Sequence, residues 1–194
     1  MRVIGGRLSG RRFGAPSGKG TRPTSDRVRE ALGSALTSRG AFEGARVLDL
    51  FAGSGALSFE SISRGAKHAT MIDRDARVLR EIKQSASALG VAPEVTTLRI
   101  DLCGKPETFI DRIGGGETRF SLVFADAPYA NIASVPPLIE ALAAAGRFTP
   151  GAWIVVEHPD SYAWTWTKGL ASDAEYRYGH TRISLGVNQQ KGTT

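Results

Sequence analysis

The chain has 194 residues, a formal net charge of +6 and one cysteine, Cys103. That length supports one domain with a full hydrophobic core, and a single thiol excludes an internal disulfide or a cysteine-rich zinc cluster, as suits a reducing cytosol. No apolar run approaches the roughly 18 residues that span a bilayer, and residues 1–12 lack the apolar core of a secretory signal, so a cytoplasmic protein with no membrane partner is expected.

Residues 1–24 contain Gly5, Gly6, Gly10, Gly14, Gly18 and Gly20 and few apolar side chains. They read as a basic arm or hairpin that stands outside the core. Residues 1–30 hold eight basic side chains against two acidic ones. This concentration accounts for the net charge and points to a polyanionic partner. A helix is expected from Thr24 or Ser25, either of which can cap it, to about Ser38, with Val28, Leu32 and Leu36 as its apolar positions. Arg22, Arg27 and Arg29 are then left for a polar face.

From Arg46 onward, short apolar runs alternate with helical segments, the pattern of a parallel sheet with crossover helices. Strands are expected at 46–50, 69–73, 95–101, 121–126 and 152–158, and helices at 56–64, 75–89, 106–112 and 134–145. Segments 175–178 and 182–187 flank Gly179-His180-Thr181 as a closing antiparallel hairpin. The expectation is an α/β domain over 25–187, with the arm 1–24 before it and a frayed polar tail 188–194 after it. Trp164 and Trp166 alternate as on a strand and suit core packing better than base stacking. Cys103 reads as an inert, partly buried thiol, and His68, His158 and His180 lack metal-ligand spacing.

The run Val47-Leu48-Asp49-Leu50-Phe51-Ala52-Gly53-Ser54-Gly55-Ala56 is a buried strand entering a glycine turn and then a helix. In an open α/β sheet, ligands bind at the carboxyl ends of the strands, where glycine allows close backbone approach. Asp73 ends the second strand and can accept both hydroxyls of a ribose. Asp101 ends the third and can accept from an adenine amino group. With neighbours Arg74 and Leu102, these positions suit an adenosine-containing cofactor. A dinucleotide is the competing reading; its fingerprint wants Gly or Ala at the last position where this chain has Ser58, a difference that alone decides little. Asp49 would also repel a pyrophosphate, whereas it suits the ammonium group of S-adenosylmethionine.

The fourth strand runs into Asp126-Ala127-Pro128-Tyr129. This segment resembles the Asp/Asn-Pro-Pro-Tyr/Phe motif of methyltransferases that act on exocyclic amino nitrogens. Such an amine is planar and poorly nucleophilic because its lone pair is delocalised into the ring. The Asp126 carboxylate and the Ala127 carbonyl can accept its two N–H groups and free that lone pair, while Tyr129 can stack on the base. No metal is required. Ala127 replaces the usual first proline, and Pro128 offsets this by confining the residue before it to extended conformations.

With Ile4-Gly5-Gly6, Gly10-Arg11-Arg12, Arg22-Pro23-Thr24-Ser25-Asp26-Arg27-Val28-Arg29-Glu30, the glycine turn, Glu60 and Ser63-Arg64-Gly65-Ala66, the chain resembles the RsmD family of 16S ribosomal RNA guanine-N2 methyltransferases over residues 2–185. The resemblance implies a Rossmann-like seven-stranded methyltransferase fold, S-adenosylhomocysteine as product, and a target in 16S rRNA within a small-subunit particle or assembly intermediate. It also implies that Arg7, Arg11, Arg12 and Arg22, with Arg27 or Arg29, contact RNA. A monomer is expected. Departures are Ala127, and Asp73 where the family often has glutamate. Two other readings stand beside it: adenine-N6 methylation of DNA or RNA, and an RNA-binding assembly protein whose site has decayed at Ala127. Glu157 is left open between a place at the substrate and a structural role.

Overall fold

The computed structural model describes residues 1–14, 26–115 and 118–190. Its strands are β1 (Arg46–Leu50), β2 (His68–Asp73), β3 (Val95–Arg99), β4 (Phe120–Asp126), β5 (Phe148–Pro159), β6 (Leu170–Tyr178) and β7 (Thr181–Asn188). The helices are α1 (Asp26–Thr37), α2 (Ala56–Ser63), α3 (Ala76–Leu89) and α4 (Val135–Ala144). They form one seven-stranded sheet in the order β3-β2-β1-β4-β5-β7-β6. The first five strands run parallel and β7 inserts antiparallel between β5 and β6. The expected α/β sheet with an antiparallel edge is what forms, and among the described residues no helix is long and apolar enough to cross a membrane.

The periodicities explain the layers. In α3, Leu79, Ile82, Ala86 and Leu89 recur at helical spacing and are buried, giving one apolar stripe. Asp75 caps its start by accepting from the Arg77 amide, and Gly90 at φ +74° closes its end. Helices α1, α2 and α3 pack their apolar side chains with Val47, Met71, Leu122, Phe124 and Val155 on one face of the sheet. Helix α4 packs with Leu48, Leu50, Val123, Ala125 and Ile154 on the other. Strand residues alternate between the two clusters, as the period of two requires.

Several elements differ from expectation. The helix expected at 106–112 is two short 3-10 turns, Pro106–Thr108 and Ile110–Arg112, and β6 begins at Leu170 because it pairs with all of β7. The polar tail starts inside that strand: Asn188 is buried and donates to the Thr149 carbonyl at 2.9 Å. Trp164 and Trp166 lie in irregular chain, stacked edge to face at 5.4 Å and packed on the α4 side. Cys103 is exposed because it sits in the turn after β3. The expected cap at Thr24 or Ser25 lies outside the described residues.

The largest correction concerns the arm. Residues 1–14 form a hairpin closed by the Arg2 to Arg12 bridge, but it is part of the core: Val3, Leu8 and Phe13 are buried, and Phe13 meets the edge of Phe59 at 5.1 Å. What docks it is a buried carboxylate. Glu60 of α2 accepts the amides of Ile4 at 2.8 Å and Gly5 at 2.9 Å and the Arg64 guanidinium at 2.7 Å. Ser63 adds two bonds, accepting from the Leu8 amide and donating to the Gly5 carbonyl. Glycine leaves room beside this node, since a Cβ at Gly5 or Gly33 would come within 2.4 or 2.8 Å of the Arg64 guanidinium and make that side chain shift.

Arg29 also corrects expectation. It is 1% exposed and donates to the Arg2 carbonyl and the Asp26 carboxylate. It shares the inward stripe of α1 with Leu32 and Leu36, three and seven residues on, so it is not available to RNA.

A buried charge stripped of its partner is costly, so Glu60→Ala, which strands Arg64 and two arm amides, should lower stability by about 3–5 kcal/mol. Thermal unfolding measures it. A melting temperature equal to that of the wild type would show that the arm docks without help from the Glu60 carboxylate.

Candidate active site

Strand order reverses between β1 and β4, and at such a switch point the carboxyl ends of the strands open a crevice. Register decides what lines it. Asp49 pairs with Met71 on β2 and with Phe124 on β4, and Asp126 pairs with Glu157 on β5. Neighbours in register project to one face, so Asp73, Asp49, Asp126 and Glu157 form a row on the α1–α3 side. Asp49 lies deepest, one pleat behind Asp73.

Each carboxylate is held differently. Asp73 accepts the amides of Gly53 at 3.1 Å and Asp75 at 2.8 Å, one on each oxygen. Each oxygen keeps a lone pair for a further donor. Asp49 is buried and accepts from the Ser58 hydroxyl at 2.6 Å. Burial pushes its carboxyl up to about 7, the Ser58 bond opposes this, and the charge of Asp73 adds to it. Asp126 stands well above the usual carboxylate range, first through burial, then through the charges of Glu157 and Asp49. Ser58 was missed by sequence reasoning. It lies in the first turn of α2 and meets Asp49 only when the crossover closes.

The turn between β1 and α2 is backbone under constraint. Phe51 holds φ +64°, Gly53 φ +52° and Gly55 φ +73°, and for a phenylalanine that region costs about 1–3 kcal/mol. A Cβ on Gly55 would come within 3.1 Å of Met71 and Phe59, so glycine there lets α2 pack closely. Ser54 sits between the two glycines. On the β3 side, Asp101 is exposed and accepts the Cys103 amide at 3.1 Å, while Leu102 is buried beneath it. Arg74 is exposed on the loop after Asp73.

Ala127 is buried immediately after β4 and Pro128 is extended at φ −50°, ψ 136°. The Tyr129 ring is exposed, with its hydroxyl hydrogen-bonded to Thr181 at the start of β7. The closing hairpin thus tethers the last residue of the motif. Burial raises the Tyr178 hydroxyl, Tyr176 adds to this and the charge of Arg27 opposes it, which places Arg27 beside the same hairpin.

The arm arginines divide. Arg7 pairs with Glu94 at 2.5 Å, and Arg11 donates to the Ala88 and Leu89 carbonyls at the end of α3. Arg12 and Arg27 are exposed. Arg22 lies outside the described residues.

The family model described as conserved hypothetical protein 95 matches residues 1–187. The Bacillus subtilis protein named "Putative rRNA methyltransferase YlbH" is 32% identical over 186 residues, 95% of this chain and 97% of that protein. The Escherichia coli protein named "Ribosomal RNA small subunit methyltransferase D" is 43% identical over 89 residues, covering 46% of this chain and 44% of that protein. A solved structure named "Putative methyltransferase yhhF from Escherichia coli" superposes with a TM-score of 0.82 at 29% identity, covering 98% of this chain and 99% of that one.

Asp49 yields a pH prediction. Its folded value of about 7 exceeds the ordinary 3.8, so the native state binds the extra proton and loses that stability as pH rises from about 4 through 7. Asp49→Asn removes the ionisation. Its melting temperature should gain on the wild type between pH 4 and pH 8, and a constant gap between the two curves would refute the assignment.

Proposed function

The chain belongs to the conserved hypothetical protein 95 family, the RsmD family of methyltransferases, and from that premise we propose that it transfers a methyl group from S-adenosylmethionine to the N2 amine of a guanine in 16S ribosomal RNA. The observation that carries this reading is the row Asp73, Asp49, Asp126 and Glu157 across the switch point, with the motif Asp126-Ala127-Pro128-Tyr129 at the end of β4. Relatives named for rRNA methylation support the RNA target.

The donor set fits the cofactor. Asp73, fixed by two backbone amides, has the free lone pairs to take both ribose hydroxyls. Asp49, whose carboxyl burial raises to about 7, would be drawn to its ionised form beside the ammonium group. Asp101 would accept from the adenine amine over the apolar floor of Leu102, with Phe51, Gly53, Ser54, Gly55 and Arg74 framing the rest. When bound, the cofactor supplies a methyl group on a sulfonium, a strong leaving group, so the protein's task is alignment.

On the target side, the Asp126 carboxylate and the Ala127 carbonyl accept the two N–H groups of the amine. Ala127 is held by burial and by Pro128 after it, so the carbonyl direction is set despite the missing first proline. Methylation makes the amino nitrogen acidic, and the raised affinity of Asp126 for a proton suits it to take one from that nitrogen. Tyr129 offers its ring face to a base drawn out of its stack. Arg12 and Arg27, together with Arg22, are the arginines we assign to phosphates. Arg7 and Arg11 hold Glu94 and the end of α3.

Single-turnover transfer of labelled methyl to bacterial small-subunit particles tests the reading. Asp126→Ala should lose about a hundredfold or more in rate with cofactor affinity intact, while Asp73→Ala should weaken cofactor binding roughly tenfold to a hundredfold. In the wild type, kcat/KM should fall on acidification with an inflection above the usual carboxylate range, because Asp126 must be ionised to accept. Full activity in Asp126→Ala contradicts the mechanism, and a wild type inert on every particle contradicts the function.

A further inference from the structure

Resting on that reading, we propose that Glu157 selects guanine over adenine by accepting the guanine N1–H beside the amine held on Asp126. Glu157 pairs with Asp126 in the β4–β5 register, so the two side chains leave the sheet on one face from strands about 4.8 Å apart. Both stand at carboxyl ends facing the crevice, and neither is fully buried. On β7 the next position in register is Ile183, an apolar neighbour. The charge of Glu157 acts directly on Asp126. A second acceptor therefore stands beside the motif acid, on the same face and at the same level of the sheet.

Guanine supplies those donors and adenine does not. Along its Watson–Crick edge guanine presents the two N2 hydrogens and then N1–H, three donors in sequence. With the amine hydrogens on Asp126 and the Ala127 carbonyl, the remaining donor faces the neighbouring strand, where Glu157 lies. Adenine presents its amine and then an N1 lone pair, an acceptor. Bound in the same pose it would set that lone pair against the Glu157 carboxylate, acceptor against acceptor. The motif treats any exocyclic amine alike, so discrimination between the two purines has to come from the group beside it.

The base 2-aminopurine isolates the contact, because it keeps the 2-amino group and has a lone pair at N1. The methylated guanine is first mapped in small-subunit rRNA, and two otherwise identical RNAs then carry guanine or 2-aminopurine there. Wild-type kcat/KM should favour guanine by about tenfold to a hundredfold, the range of a hydrogen bond to a charged group. Glu157→Gln should shrink that ratio about tenfold, since its amide loses charge assistance toward N1–H and can donate to a bare N1. Glu157→Ala should bring the ratio close to one, with cofactor affinity unchanged in both variants. Equal losses on the two RNAs, or an unchanged ratio, would overturn the inference while leaving the function standing. A wild type that methylates no guanine would remove both.

Discussion

Parallel pairing in register across β2, β1, β4 and β5, unbroken from Leu122 to Asp126 on β4, is the constraint on which the site depends. Because side chains alternate, Asp73, Asp49, Asp126 and Glu157 share a face only if Asp49 stays opposite Met71 and Phe124, and Asp126 opposite Glu157. A slip of one residue in any strand would turn its acid toward α4 and an apolar residue toward the crevice. The apolar residues between the acids, divided between two cores, hold that register. Placing carboxylates there has a cost: burial first, and neighbouring carboxylate charges after it, raise Asp49 and Asp126. Backbone amides on Asp73 and the Ser58 hydroxyl on Asp49 offset part of it.

A second buried acid links the arm to this site. Glu60 lies one turn into the helix that the glycine turn feeds, and it holds the hairpin of residues 1–14 through two amides. The basic arm is therefore anchored on the element that frames the proposed cofactor pocket, and its apolar side chains complete the same core. Glycine turn and arm share one support, α2. An RNA contact at Arg12 or Arg27 would be positioned relative to the crevice by folding itself.

Much of this was legible in the sequence. Strand and helix periods were clear where buried runs are bounded by glycine or a cap, as at 46–50 and 75–89, and the signals at Gly53, Asp73 and Asp126 are local. What could not be read depends on contacts between distant residues. Arg29 looks like any helical surface arginine until α1 packs against the sheet with Leu32 and Leu36 inward. The arm looks like a polar tail until three apolar residues, spaced five apart at positions 3, 8 and 13, find α2 and α3. Glu157 could not be assigned because its meaning comes from a neighbour thirty-one residues away. Ser58 carries no signal of its own. The bonds of Arg7 to Glu94 and of Arg11 to helix carbonyls likewise join residues distant in sequence.

Everything proposed for the site follows if the crevice presents acceptors to the exocyclic amine of guanine in small-subunit rRNA. The most direct measurement is the chemical identity of the product: nucleosides from a particle methylated by the purified protein, separated and read by mass spectrometry. The account predicts a single new species, N2-methylguanosine, formed in step with S-adenosylhomocysteine. A product methylated on adenine N6, on a ring carbon or on a ribosomal protein would contradict it.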